Sequence, residues 1–179
     1  AGLFTETVDF DENNVISGDS LTTNPGVPNV YVVQYDSSGT LQWLNAISGL
    51  VTKQIYGVAE DLGNIYITGY TATGTVDFDS LAVTSGDTAT SAGSADIYIA
   101  KYDNSGGFQW QKSLGGTGFD VGYGIEVQDG IIYASGGFRS TTDFDEDSVV
   151  SGDTLSLAGS GQDMFIAHYT EPGTSISNI

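Results

Sequence analysis

The residues best suited to chemistry are carboxylates that return three times in the same company: Asp9-Phe-Asp-Glu-Asn13, Asp77-Phe-Asp-Ser80 and Asp143-Phe-Asp-Glu-Asp147. In an extended segment, side chains two residues apart share a face at about 7 Å, while the intervening Phe turns the other way. Calcium takes oxygen ligands at about 2.4 Å, and an ion can draw such a pair together. The candidate metal ligands are therefore Asp9, Asp11, Asn13, Asp77, Asp79, Asp143, Asp145 and Asp147, with calcium the expected ion. The middle copy ends in Ser80 and is the poorest in ligands. All three lack the glycine and distal bidentate Glu of an EF-hand loop. The competing reading is a solvated loop anchored by its Phe, each Asp capping its own turn. Ser17-Gly-Asp19, Ser85-Gly-Asp87 and Ser151-Gly-Asp153 recur in phase with it. A repeated turn with glycine at positive φ is the expected role, the alternative being that Asp19, Asp87 or Asp153 returns to the same ion.

Other reactive types are sparse. His168 is the only histidine, at a strand position held by Gln34 and Lys101 in the other copies, and it is expected to face solvent. Without partners it supports neither a triad nor a histidine zinc site. Paired carboxylates at about 5 or 6.5–9.5 Å hydrolyse glycosides. These acids, however, repeat with the architecture as scaffold residues do, so no enzymatic activity is expected. Trp43 and Trp110 sit in the same strand phase and are expected in the core between repeats rather than on a sugar platform. Gly115-Gly-Thr-Gly118 is followed by Asp120 and lacks a Lys-Ser/Thr pair, which argues against a phosphate cradle.

Composition narrows the classes further. The 179 residues carry a formal net charge of −19, offset only by Lys53, Lys101, Lys112 and Arg139. Such a field repels phosphate backbones and argues against nucleic acid or an anionic membrane as partner. No apolar run is long enough to cross a bilayer, so membrane insertion is not expected. Cysteine is absent, which removes disulfides and thiolate chemistry. The 25 Gly, 10 Tyr and 8 Phe suit short strands and tight turns.

The elements that position the acids follow from a repeat. Trp43 and Trp110 lie 67 residues apart, as do Tyr35 and Tyr102, Tyr102 and Tyr169, and Tyr66 and Tyr133. The unit reads as four strands. The first is Tyr56–Glu60 or Tyr123–Val127, turning at Asp61-Leu-Gly-Asn64 or at Asp129-Gly130, where Asp-Gly suits a type I′ hairpin. The second is Ile65–Thr68 or Ile131–Ala134. A longer excursion carrying the Asp-Phe-Asp segment follows. The third is Val30–Tyr35, Ile97–Tyr102 or Met164–Tyr169, and Asp103-Asn-Ser-Gly106 turns it into the fourth, Leu41–Leu44 or Phe108–Lys112. Alternation in the third and fourth strands predicts one buried face. The expected fold is all-β, a single repeat-built domain of about 2.7 repeats, partial over 1–54, full over 55–121 and partial over 122–179. Four antiparallel strands per repeat describe a propeller blade.

Tyr56-Gly-Val-Ala-Glu-Asp-Leu-Gly-Asn-Ile-Tyr-Ile-Thr-Gly-Tyr70, followed by Asp96-Ile-Tyr-Ile-Ala-Lys-Tyr-Asp103, resembles the bacterial SBBP-type β-propeller repeat. The resemblance covers nearly the whole chain and implies a secreted or surface propeller, with no single activity attached. The copy at 124–138 departs from it by a shorter hairpin and an added Gly137. Ala1-Gly-Leu-Phe4 aligns with Ser135-Gly-Gly-Phe138, so the chain is expected to begin after a second strand and to end after a third. Propellers close with four to eight blades. The expectation is a segment of a longer propeller, a ring shared between chains, or head-to-tail association through incomplete units. The function expected is an extracellular or cell-surface structural or adhesive module, self-associating and calcium-stabilised, with long loops over 72–95 and 139–162. The alternative is a propeller module that binds glycan or a surface protein, and a secreted hydrolase ranks behind both.

Overall fold

The computed structural model describes residues 1–11, 19–23, 26–81, 86–144 and 154–170. In chain order its strands are β1 (Gly2–Phe4), β2 (Thr7–Asp9), β3 (Ser20–Thr22), β4 (Asn29–Tyr35), β5 (Leu41–Ile47), β6 (Lys53–Asp61) and β7 (Asn64–Asp77). They continue with β8 (Thr88–Tyr102), β9 (Phe108–Gly116), β10 (Val121–Gln128), β11 (Ile131–Phe138), β12 (Thr142–Asp143), β13 (Thr154–Leu155) and β14 (Asp163–Thr170). No helix occurs among the described residues, and none of the sheets closes into a barrel. A first sheet runs β1-β4-β5, a central sheet β13-β12-β9-β8-β7-β6 and a third β10-β11-β14, with β2-β3 a separate hairpin.

Pairing and irregularity recur at one spacing. Val30 faces Ile47 in the first sheet, and Ile97 faces Leu114 in the central one, each residue 67 positions further on. A bulge interrupts β4 between Gln34 and Tyr35 and β8 between Lys101 and Tyr102. A second bulge lies between Ile55 and Gly57 in β6 and between Gly122 and Gly124 in β10. The turns repeat as well. Asp36 Oδ1 accepts the Ser38 and Thr40 amides at 2.8 and 2.9 Å, and Asp103 Oδ1 accepts those of Ser105 and Gly107 at 2.8 and 3.0 Å. The Ser38 and Ser105 hydroxyls, donating to the same oxygens, hold both carboxyls below the usual range. Asp129 and Gly130 both adopt positive φ, as a type I′ turn requires.

The sheets stack through two apolar layers. Val30, Val32, Trp43 and Ile47 of the first sheet meet Ile67, Val76, Phe78, Tyr98 and Tyr102 of the central one. The opposite face of the central sheet, with Tyr66, Ile97, Ile99 and Leu114, meets Ile125, Ile132, Phe165 and Tyr169 of the third sheet and Phe144 just after β12. This corrects the expectation of one buried face for the third strand. Residues 97–100 of β8 are buried on both faces, because a sheet lies on either side.

Two further expectations change. The excursion read as a loop over 72–95 is mostly strand, since β7 runs to Asp77 and β8 starts at Thr88. The chain also does not begin after a second strand, because Gly2–Phe4 is itself strand and pairs with Asn29–Tyr31. The extended hairpin reaches back to the preceding sheet. Ser48 and Asp77 exchange amide hydrogen bonds of 2.9 and 3.2 Å, and the Ser80 amide donates to Ala46 O at 3.2 Å. In the same way β12 pairs with the end of β9, Thr142 facing Gly116 and Asp143 facing Gly115. Each sheet is therefore latched to the next by backbone hydrogen bonds as well as by apolar contact.

Candidate functional site

The Asp77 and Asp143 segments lie at these latches and the Asp9 segment on the β2-β3 hairpin, and the backbone of the first two copies is held the same way. Asp9 Oδ1 accepts the Asp11 amide and Asp77 Oδ1 the Asp79 amide, both at 2.9 Å, so each first Asp caps its own turn. The Phe10 amide donates to Asp19 O at 2.9 Å, and the Phe78 amide to Asp87 O at 2.7 Å. Asp19 and Asp87 thus come back to the Asp-Phe-Asp segment, and Gly86 before Asp87 takes φ 85°, where only glycine turns freely.

A third contact ties separate parts of the repeat together. The Tyr35 hydroxyl donates to Phe10 O at 2.8 Å, that of Tyr102 to Phe78 O at 2.7 Å and that of Tyr169 to Phe144 O at 3.3 Å. Phe78 and Phe144 are buried between sheets, and Phe10 packs half-buried on the outer side of the first. The tyrosine at the end of each third strand therefore locks an Asp-Phe-Asp segment, and in the second and third copies the Phe fills the core between sheets. The tyrosines and the Asp-Phe-Asp segments were each legible as repeats; the bond joining them was not.

Carboxylates gather in the middle copy, the one read from sequence as poorest in ligands. Asp79 and Asp87 are buried and Asp77 is half-buried. Burial, with the charges of Asp87 and Asp79 adding to it, raises the Asp77 carboxyl above its ordinary range against the opposing Asp79 amide. Asn45 from β5 donates to Asp79 Oδ1 at 3.1 Å. The sequence reading carried Asp87 as the alternative role of the Ser-Gly-Asp turn; it missed Asn45, which arrives from the preceding sheet. Among the described residues, no group of three or more His, Asp or Glu side chains is disposed to hold a metal ion. Asp9, Asp11 and Asp143 are exposed or half-buried. Asn13, Asp145, Asp147 and Asp153 lie outside the described residues.

The remaining candidates take structural positions. Trp43 is buried in the layer between first and central sheets, and Trp110 packs half-buried beside Tyr66. His168 is half-buried against the Tyr133 ring rather than fully solvent-facing. In the glycine-rich stretch, the Gly116 amide donates to Asp120 Oδ2 and the Gly118 amide to Ser140 Oγ, both at 2.9 Å. These amides serve the fold.

One buried cation breaks the repeat. Lys53 occupies the position that Asp120 holds 67 residues later. Its ammonium donates to Gly49 O, Pro28 O and Val51 O at 2.9, 3.1 and 3.3 Å. Burial pulls its pKa down to about 8. Two apolar surfaces complete the inventory. Met164 and Ile166 stand on the outer face of the third sheet, beside a shallow groove of about 370 Å³ that Tyr133 and Ser135 help to line. Tyr56 and Tyr123, at equivalent bulges, are 50% and 44% exposed with ring centroids 5.8 Å apart. No protein-family model matches the chain, and no curated protein matches it.

Proposed function

We propose that this chain is an extracellular or cell-surface structural or adhesive module of propeller-like repeats, one that associates through its outer sheets. The observation that supports this most is the state of those sheets. Each has three strands and turns one face away from the stack, and the third sheet carries Met164 and Ile166 there at 66% and 73% exposure. Apolar residues at that density mark an interaction surface. The resemblance to secreted SBBP-type propeller repeats supports the location and the blade-like reading of each four-stranded unit.

Calcium is proposed as a stabiliser at the Asp-Phe-Asp segments. Asp77, Asp79 and Asp87 fit it in part, since their repulsion is what a divalent ion relieves. Asp77 Oδ1 accepts the Asp79 amide and Asp79 Oδ1 the Asn45 side-chain amide, bonds that hold the carboxylates in place beside one another. Light scattering and negative-stain microscopy of the purified chain, with calcium and with EDTA, test both parts. Ordered assemblies that loosen in EDTA are expected. A calcium-indifferent monomer overturns the reading.

The alternative is a glycan-binding propeller module, favoured by the exposed pair Tyr56 and Tyr123, whose rings offer apolar faces to a sugar. Saturable glycan binding by the monomer, lost in Tyr123→Ala, would favour that reading over assembly.

A further inference from the structure

The apolar layers inside the molecule pair two different kinds of face, always in the same direction. On one side of each junction the third strand presents aliphatic residues, Val30 and Val32 at the first junction and Ile97 and Ile99 at the second. On the other side it presents aromatic and small residues, Tyr98, Ala100 and Tyr102 at the first junction and Phe165, Ala167 and Tyr169 at the second. Each face is closed by its neighbour, Ile97 and Ile99 at 0% and 1% exposure and Tyr102 and Tyr169 at 0% and 2%. The same two faces then recur once more without a neighbouring sheet. Met164 and Ile166 stand where Ile97 and Ile99 stand, 67 residues on, at 66% and 73% exposure. Tyr31, Val33 and Tyr35 stand where Tyr98, Ala100 and Tyr102 stand; Tyr35 is 42% exposed, while Tyr31 and Val33 are half-buried, Tyr31 in a cluster with Phe4, Leu21 and Phe10.

We infer that the Met164/Ile166 face of one copy docks on the Tyr31/Val33/Tyr35 face of a second copy, continuing the stack across the molecular boundary. This rests on the assembly reading above and specifies its interface. The occupant is a second copy because each open face is the counterpart of the other. The outer side of the first sheet also carries Phe10 beside Tyr31, ring centroids 4.8 Å apart, as the buried Phe78 lies beside Tyr98 at 5.1 Å. Such a contact is heterologous, so it propagates into a ring or a filament instead of stopping at a dimer. Both partners carry a charge of −19, so association driven by these apolar faces tightens as salt rises.

The test uses the full chain and two variants, Ile166→Glu in the third sheet and Val33→Glu in the first. By sedimentation velocity, the wild type is expected to grow in mass with concentration and with salt. Each variant alone is expected to weaken association by about 10-fold or more, the value of one large aliphatic side chain left unburied. Mixed together, the variants retain one good face each. They are expected to form a dimer of about 37 kDa, twice the 18.7 kDa chain, that grows no further. A photo-crosslinker at position 164 of the otherwise unaltered chain supplies a second readout, expected to label residues 29–35 or 41–47 of another copy. Wild-type assemblies that survive both substitutions, or crosslinks that map elsewhere, overturn the inference and leave the assembly reading standing. A wild-type monomer at all concentrations and salts overturns both.

Discussion

Tyrosine-to-phenylalanine substitution at the three loop-locking positions separates the value of the repeated bond from its surroundings. At Tyr102 the bond is 2.7 Å long, and donor and acceptor residue are both fully buried. Removing the hydroxyl leaves the Phe78 carbonyl unmet in an apolar layer, which costs about 1–3 kcal/mol. At Tyr35 the bond is 2.8 Å, but the side chain is 42% exposed, so water replaces the hydroxyl and about 0.5 kcal/mol or less is expected. Tyr169 belongs between them at about 1 kcal/mol, buried but with a longer bond of 3.3 Å. For a chain of this length, 1 kcal/mol moves Tm by about 2–4 °C, so Tyr102→Phe loses several degrees and Tyr35→Phe almost none. Urea unfolding at pH 7, at a concentration where the chain is monomeric, measures the series directly. Equal losses at all three positions, or the largest loss at Tyr35, would refute the claim that burial decides what the lock contributes.

Lys53→Met probes the buried ammonium through pH. With a folded pKa of about 8 against 10.5, the unfolded chain binds the extra proton between those values. Wild-type stability therefore rises from pH 8 to 10.5 by at most about 3 kcal/mol, with no slope from this group below 8. The three carbonyl acceptors favour the ammonium and reduce that figure. The slope should be missing from Lys53→Met, and identical slopes in both proteins would sink the assignment. Asp87→Asn removes a charge that raises Asp77. Because a raised carboxyl stabilises the fold as pH falls toward 3.8, wild type should gain more stability than the variant as pH is lowered toward 3.8 in acid titrations of unfolding. At pH 7 without calcium the variant should be the more stable of the two. Gly69→Ala drives a methyl into Gln54 O and places it 2.9 Å from Tyr98 Oη. A loss of about 3 kcal/mol or more is expected in urea, and a variant as stable as wild type would contradict the close strand packing.

The strands with bulky residues on alternate positions were readable from sequence, as were the turns at Asp103 and Asp129-Gly130. The extensions of β7 and β8 were not. Their segments Thr71–Asp77 and Thr88–Asp96 are rich in Thr, Ala, Gly and Ser, which leave little amphipathic contrast between faces. Burial of β8 on both faces was hidden for the opposite reason, since Ile97-Tyr-Ile-Ala100 reads as a strand wherever it lies. The Asp-Phe-Asp segments announced themselves by recurrence, but recurrence alone does not separate a ligand set from a loop anchor. The bonds from Tyr35, Tyr102 and Tyr169 show the anchoring part of their role. Lys53 carried no signal at all, because its significance lies in the carbonyls of Pro28, Gly49 and Val51 that converge on it.

The backbone latches give the molecule the character of a one-dimensional lattice with a coupling term between neighbours. Freeing the β7–β8 hairpin from Ser48 strips Val76, Phe78 and Ala89 from the layer beneath the first sheet while β8 itself stays in the central one. Opening at either end can therefore travel inward one junction at a time, each step exposing the next latch to solvent. Amide protons of β8 should exchange last, and the ordering of exchange across the latches would give the strength of that coupling directly.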